Sequence, residues 1–265
     1  MRLDGSTVLL TGASGGIGQA IARALDERGA KLLISGRRGE QLERIAADLG
    51  GRPTALAADL TLAADATALA ERAGAVDVLV ANAALPASGP IVDFTPEEID
   101  RALDVNLRAP VQLTRALLPG MVERGNGHVV LVSSLAGKVA SVGSSLYSAT
   151  KFGLRGFAAG LREDLHGTGV GVTVVFPGFV SGAGMFADAG VRLPKGVGTR
   201  SPEQVAAAVV AGIERGKAEI DVAPLSLRAG TFLSSLAPTT ASRIQRRLGS
   251  ARLSHAIAEG QKPKR

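Results

Sequence analysis

Tyr147 and Lys151 stand four residues apart in Tyr147-Ser148-Ala149-Thr150-Lys151, a spacing that sets two side chains on one helical face within mutual reach. A phenol, with an unperturbed pKa of about 10, is a poor base at neutral pH, but an adjacent ammonium favours its anion. Such a pair could give or take a proton at about pH 7. The spacing by itself is common on helices, so the pair needs partners before it carries chemistry.

A second loaded stretch is Thr11-Gly12-Ala13-Ser14-Gly15-Gly16-Ile17-Gly18, which follows an apolar run and opens a helical pattern. Glycines let a backbone turn tightly and approach a pyrophosphate, whose charge is favoured by the N–H groups and dipole of a helix start. The stretch lacks the Lys-Ser/Thr ending of a nucleoside-triphosphate P-loop, which argues against a kinase or ATPase. Its Gly12, Gly16 and Gly18 also depart from the common G-x-G-x-x-G spacing. About 20 residues further on, a site for NAD usually places an acid for the adenosine 2′-hydroxyl. Here Ser35-Gly36-Arg37-Arg38 puts Gly36 at that place. A carboxylate would repel a 2′-phosphate, whereas the Arg37 guanidinium can grip it and stack near the adenine. NADP(H) is therefore favoured over NAD(H). Asp59, at the next strand end, is placed to accept from the adenine amino group, and Asn82-Ala83-Ala84 ends the strand after that.

Positioning these groups requires a sheet. Short β-branched or Leu-rich runs occur at Thr7 to Thr11, Lys31 to Ser35, Thr54 to Ala58, Val76 to Ala81, His128 to Ser133, Val170 to Phe176 and Glu219 to Val222. Segments of helical period lie between them, at Ile17 to Arg28, Gln41 to Leu49, Ala63 to Ala73, Pro96 to Arg124, Ser145 to His166 and Pro202 to Arg215. This alternation predicts an α/β fold, a Rossmann-like doubly wound parallel sheet with helices on both faces. One domain, residues 1–241, and a tail, 242–265, account for the chain. Thr95 before Pro96 with Glu98, and Ser201 before Pro202, mark two helix starts. Gly178 to Arg200 is Gly-rich with no sustained period, the composition of a substrate loop at the carboxyl edge of the sheet or of an unspecialised surface loop. Ala223 to Pro238 is apolar and Ser-rich, fit for a pocket wall or a subunit contact.

Composition closes several alternatives. With no cysteine, disulfide frameworks, Cys-ligated zinc and thiol catalysis are excluded. Aromatic residues make up 3% of the chain and none is Trp, which argues against a stacking platform for single-stranded nucleic acid, and no nucleic-acid partner is expected. His128, His166 and His255 show no metal-ligand spacing, so none is read as catalytic and no metal is expected. Glu163 and Asp164 read as a solvated pair. The apolar run Thr7 to Leu10 is too short for a signal core or a membrane span, and a cytoplasmic, soluble protein is expected. The net charge of +6 resides wholly in residues 242–265, where seven Lys or Arg face Glu259, while the rest of the chain is neutral. There Ile244, Leu248, Ala251 and Leu253 interleave with Arg243, Arg246, Arg247 and Arg252, a pattern for an amphipathic basic helix. Its plain reading is a solvated surface helix, and its alternative a contact with a membrane surface or anionic partner.

The constellation as a whole resembles the short-chain dehydrogenase/reductase family in its compact single-domain form. The resemblance rests on Thr11 to Gly18, on Asn82-Ala83-Ala84 against the family's Asn-Ala-Gly, and on Asn106 in the long middle helix. Ser134 follows, 13 positions before Tyr147, then Tyr147 to Lys151 and Pro177-Gly178. It implies an NADP(H)-dependent enzyme interconverting a carbonyl and an alcohol on a small organic or lipid-like substrate. Tyr147 would protonate the carbonyl oxygen as hydride arrives from the nicotinamide, and Ser134 would hydrogen-bond that oxygen. Lys151 would bind the nicotinamide ribose and lower the tyrosine pKa, and Asn106 would fix a relay water. The implied cofactor set is Gly12, Ser14, Gly16, Ile17, Gly18, Arg37, Asp59, Leu60, Asn82, Ala83, Tyr147, Lys151, Pro177, Gly178 and Val180. The family's habit also implies a homo-oligomer, a dimer or tetramer. Adjacent Ser133 and Ser134 point to opposite sides of a strand, so one alone can face the substrate. Two departures stand out. Ala84 replaces the motif's Gly, and Gly182 stands where the family commonly has a Thr for the nicotinamide carboxamide, leaving Ser181 or a backbone group to take that contact. The competing function is a non-catalytic NADP(H)-binding regulatory or scaffold protein, which the full set Asn106, Ser134, Tyr147 and Lys151 argues against.

Overall fold

The apolar runs pair into seven strands: β1 (Thr7–Thr11), β2 (Lys31–Gly36), β3 (Thr54–Ala57), β4 (Val78–Ala81), β5 (Gly127–Val132), β6 (Val170–Pro177) and β7 (Glu219–Val222). The structure is a computed structural model and describes residues 1–191, 193, 197–237, 239, 243 and 250–264. Among the described residues all pairings are parallel, in the order β3-β2-β1-β4-β5-β6-β7. Both edge strands, β3 and β7, have only four residues. β5, in the middle, is buried at every position, as a strand covered on both faces must be.

Helices follow the strands as α1 (Gly16–Asp26), α2 (Gly39–Asp48), α3 (Ala63–Ala73), α4 (Pro96–Leu103), α5 (Ala109–Glu123) and α6 (Ser145–Asp164). Beyond them come α7 (Gly184–Asp188), α8 (Pro202–Arg215), α9 (Leu225–Leu236) and α10 (Ser250–Gln261). Alternate strand residues enter opposite layers. Val8 and Leu10 join Ile21 of α1, Leu42 of α2 and Val209 of α8 on one face, while Leu9 joins Leu69 of α3, Leu113 of α5 and Leu154 of α6 on the other. The chain leaves β1 for β2 on one side and reaches β4 on the other, so a crevice opens outside the carboxyl ends of these strands, where such sheets bind ligands.

The two expected caps form, each as a full capping box, Thr95 with Glu98 and Ser201 with Gln204. The single helix expected from Pro96 to Arg124 does not. α4 ends at Leu103, Asp104–Arg108 make one π turn, and α5 starts at Ala109. Pro110 explains the break, because it has no N–H to return to the carbonyl of Asn106 and its ring crowds that turn. The segment from Gly178 to Arg200 contains α7, and its ends are joined by a bridge between Val180 and Arg200. The Ser-rich segment after β7 forms α9. In the tail, α10 covers Ala251 and Leu253, whereas Ile244, Arg246, Arg247 and Leu248 lie outside the described residues. Among the described residues no helix is long and apolar enough to cross a membrane.

Candidate active site

After β1 the chain turns at Gly12 with φ of +68°, a left-handed value that glycine adopts without a steric penalty. A Cβ on Gly12 would lie 2.7 Å from the Ala83 Cα, and one on Gly18 would overlap the Gly12 carbonyl oxygen. Turn, helix and the exit of β4 therefore pack backbone to backbone. Thr11 ties this corner together: its hydroxyl accepts from the amides of Asn82 and Ala83 at 3.1 and 3.2 Å. Asn82 Nδ2 in turn donates to the carbonyls of Thr11 and Gly12 at 3.2 and 3.1 Å. This role of Thr11 emerges only when β1 and β4 lie side by side. The N-cap of α1 is Gly15, which offers no capping side chain, so the first amides of α1 have no side-chain acceptor and can receive an anion.

The end of β2 abuts the turn, with Ser14 Oγ 3.1 Å from where a Gly36 Cβ would be, and Arg37 is exposed just beyond. Asp59 Oδ1 accepts from the amide and hydroxyl of Thr61 at 3.0 and 2.9 Å, shaping the entry to α3. The side chains of Leu60 and Val180 are buried in the core, so only their main chains are available to a ligand. Gly178, after Pro177, is enclosed by Ala223, Leu135 and Leu227.

β5 brings Ser133 and Ser134 to the same edge, and they diverge as strand alternation requires. Ser133 Oγ is buried and donates to the Lys151 carbonyl at 3.0 Å. Ser134 Oγ accepts from the Ala136 amide at 3.2 Å, donates to the Pro177 carbonyl at 3.4 Å, and lies beside the Tyr147 side chain. α6 presents Tyr147 and Lys151 together, with Nζ 5.6 Å from the phenol ring centroid. Lys151 is 1% exposed and its ammonium donates to the Val132 carbonyl at 3.1 Å. Gly137 permits this close seat, since a Cβ there would lie 2.6 Å from the Lys151 carbonyl oxygen.

Burial pushes the Tyr147 phenol up to about 12, with the Ser134 hydrogen bond pulling the other way, even though part of the side chain still meets solvent. The same burial brings Lys151 down to about 8. The tyrosine is thus shifted against the direction expected from a lysine neighbour, because the cost of removing the phenolate from water dominates. Asn106 is fully buried in the π turn. Its Oδ1 accepts from the Leu85 amide at 2.6 Å and its Nδ2 donates to the Leu85 carbonyl at 2.9 Å, so the side chain is committed to the segment after β4.

Lys138, to which the sequence pattern assigns nothing, fixes the turn after Ser134. Its ammonium bridges Glu219 at 3.0 Å and Asp221 at 2.6 Å on β7 and lies 4.1 Å over the Phe176 ring. Its Asp221 partner is 83 residues away, so no local signal could have marked it. Gly182 has φ of +76° and, among the described residues, open space around it, a conformation that would strain a β-branched Thr. The amide and hydroxyl of Ser181 are both turned to the Arg200 carbonyl, at 2.9 and 3.4 Å.

A doubly wound parallel sheet with a Gly-rich first turn and a Ser-Tyr-Lys cluster at its carboxyl edge defines a dinucleotide-dependent oxidoreductase class. Residues 6–191 match the family described as short chain dehydrogenase. The chain is 38% identical over 259 residues to the ketoacyl reductase HetN of Nostoc sp., covering 93% of this chain and 90% of that protein. It is similar to the structure of a short-chain dehydrogenase from Sphingobium yanoikuyae in complex with NADPH, at 31% identity and a TM-score of 0.75, covering 82% of this chain and 87% of that one. It is similar also to the 3-ketoacyl-(acyl-carrier-protein) reductase of Brucella melitensis complexed with NADH, at 28% identity and a TM-score of 0.75, covering 83% of this chain and 97% of that one. The chain belongs to the short-chain dehydrogenase/reductase family of oxidoreductases.

Proposed function

We propose that the chain reduces a carbonyl to an alcohol, reversibly, with NADP(H) as cofactor and Tyr147 as general acid and base. The observation that carries this reading is the meeting of the Ser134 and Tyr147 hydroxyls at the sheet edge with the buried Lys151 ammonium behind them. Two hydroxyls can donate to one substrate oxygen and hold it at the reacting centre. A phenol kept protonated by burial has a proton to give at neutral pH, and the ammonium stabilises the phenolate left behind. Replacement of that proton passes through Lys151 and a water held at Asn106. The Asn106 side chain is committed to Leu85, so the main-chain carbonyl, which Pro110 leaves without its helical donor, is the group that holds the water.

The residues fit a dinucleotide. There is no room for a Cβ at Gly12 or Gly18, and α1 starts without a cap, which suits a pyrophosphate cradled by backbone amides of Gly12 to Gly18. Arg37 would take the 2′-phosphate, Asp59 and the main chains of Leu60, Asn82 and Ala83 the adenosine side, and Lys151, Pro177, Gly178 and Val180 the nicotinamide side. When bound, the nicotinamide supplies the hydride. The names of two relatives carry a ketoacyl group, so 3-ketoacyl thioesters are the first substrates to offer. Purified protein should then consume NADPH, followed by its absorbance. Tyr147→Phe should lower kcat at least ~100-fold while NADPH affinity stays unchanged. Normal turnover by that variant would refute the assignment.

A further inference from the structure

The last described helix folds back onto the loop that follows β6. Gly260 of α10 abuts Ala189, and a Cβ there would fall 2.5 Å from the Ala189 carbonyl oxygen. Ala258 and Gln261 are 4% and 6% exposed, and Gln261 Nε2 donates to the Met185 carbonyl of α7 at 3.2 Å. At its other end the same loop stands on the nucleotide turn. A Cβ on Gly16 would overlap the Ala183 Cβ, and one on Gly184 would lie 3.0 Å from Ile17 Cδ1.

α7 cannot hold this place alone. It has five residues, none of them buried, well below the length at which a helix is stable by itself. Gly182, Gly184 and Gly190 around it have φ of +76°, +83° and +65°, so the backbone on both sides can swing at little cost. Its seat therefore depends on what packs against it: Phe186 meets the Phe179 ring, centroids 4.9 Å apart, and Gly260 and Gln261 of α10 add the contacts that come from the far end of the chain. The tie is also a light one. Among the described residues Gln261 Oε1 is buried without a partner, so half of the amide gains nothing from docking against them, and release returns that oxygen to water.

We infer that α10 is a strap that holds α7 over the start of α1 and thereby governs how fast the nucleotide enters and leaves. Gly260 and Gln261 are positioning residues that act through α7. This inference rests on the dinucleotide reading of the Gly12 to Gly18 turn. A pyrophosphate seated on the first amides of α1 would lie beside Ala183 and Gly184, which abut Gly16 and Ile17, so its exchange would require these two residues to lift, and they lift more readily when α10 lets α7 go.

The test uses the full chain and two readouts. Hydrogen exchange of residues 184–189 without nucleotide reports the α7 to α10 contact, and stopped-flow release of NADPH reports its consequence. Gln261→Glu keeps the size of the side chain but sets a carboxylate against the Met185 carbonyl. At about pH 8 it should exchange faster in α7 and release NADPH roughly fivefold sooner than the parent. Acidification that protonates the new carboxyl should restore slow release, while release from the parent changes little. Gly260→Val should act in the same direction at all pH values. Gly230→Ala on α9, whose added Cβ meets no atom of the described residues within 4 Å, should behave as the parent. Faster exchange in α7 with unchanged NADPH release would overturn control of the nucleotide, and unchanged exchange in both variants would overturn the strap. A parent protein that binds no NADPH refutes the dinucleotide reading and the control of exchange with it, while the hydrogen-exchange arm still decides whether α10 holds α7.

Discussion

Burial draws the Tyr147 phenol and the Lys151 ammonium in opposite directions, one up to about 12 and the other down to about 8. Spacing could show that the two side chains meet, because a four-residue interval is a local fact of helix geometry. It could not show that both leave water, because Val132 and the close approach allowed by Gly137 come from other elements. The consequence is a pH profile with a defined sign. In the proposed carbonyl reduction the phenol must be protonated and the ammonium charged. Lys151, with its pKa lowered, is charged below about 8 and loses its proton above that. The kcat for reduction should hold steady through neutral pH and fall as pH rises through about 8. Lys151→Met should have a lower kcat without that limb, a comparison that pH–rate profiles make directly. At the other end of the site, Arg37→Ala should weaken NADPH roughly 10–100-fold and leave NADH affinity unchanged by calorimetric titration. A parent protein that prefers NADH would refute the role given to Arg37.

At the scale of elements, what reads from sequence is what repeats or caps. The alternation of strand and helix, Thr95 with Glu98, and the glycines of the first turn are all local signals, and each has its structural counterpart. The broken middle helix was legible in principle. Pro110 lies four residues after Asn106, at the position whose N–H that carbonyl needs, yet the apolar period runs through the break and masks it. α7 was not legible, since five residues flanked by glycines show no period. The π turn carries its own prediction. Pro110→Ala restores an N–H and allows a regular helix through 104–110, rotating Asn106 away from Leu85. The melting temperature should stay level or rise, and NADPH affinity should persist, but kcat should drop several-fold. A variant as active as the parent would separate the π turn from the proton route.

For the molecule as a whole, the doubly wound sheet followed from the order of its runs, whereas the ties across it did not, because their partners lie far apart in the chain. His128 is such a case. It stands at the edge opposite Ser134, Tyr147 and Lys151, with Nε2 2.8 Å from the Thr173 hydroxyl, which itself donates to the Lys217 carbonyl at 2.7 Å. Nε2 therefore carries the hydrogen, and the ring is neutral. Burial, then the terminal ammonium, lowers its pKa from 6.5 to about 4. Between those values the unfolded chain takes up the proton first, so stability is full above about 6.5 and declines as pH falls toward about 4. The loss amounts to roughly 3 kcal/mol at about 1.4 kcal/mol per unit. Urea titrations at neutral and acid pH should show this difference in the parent and a smaller one in His128→Asn.

The sheet that carries all of this stops at β3 and β7, each four residues long. On β7, Glu219 and Asp221 are already bound to Lys138 and Arg155. A foreign strand arriving at either margin finds a short ladder of free amides and, at β7, a charged fringe, which are poor templates for edge pairing. These margins thus offer ordered aggregates little to grow from, and the strongly apolar interior strands meet that risk chiefly while the sheet is still being assembled.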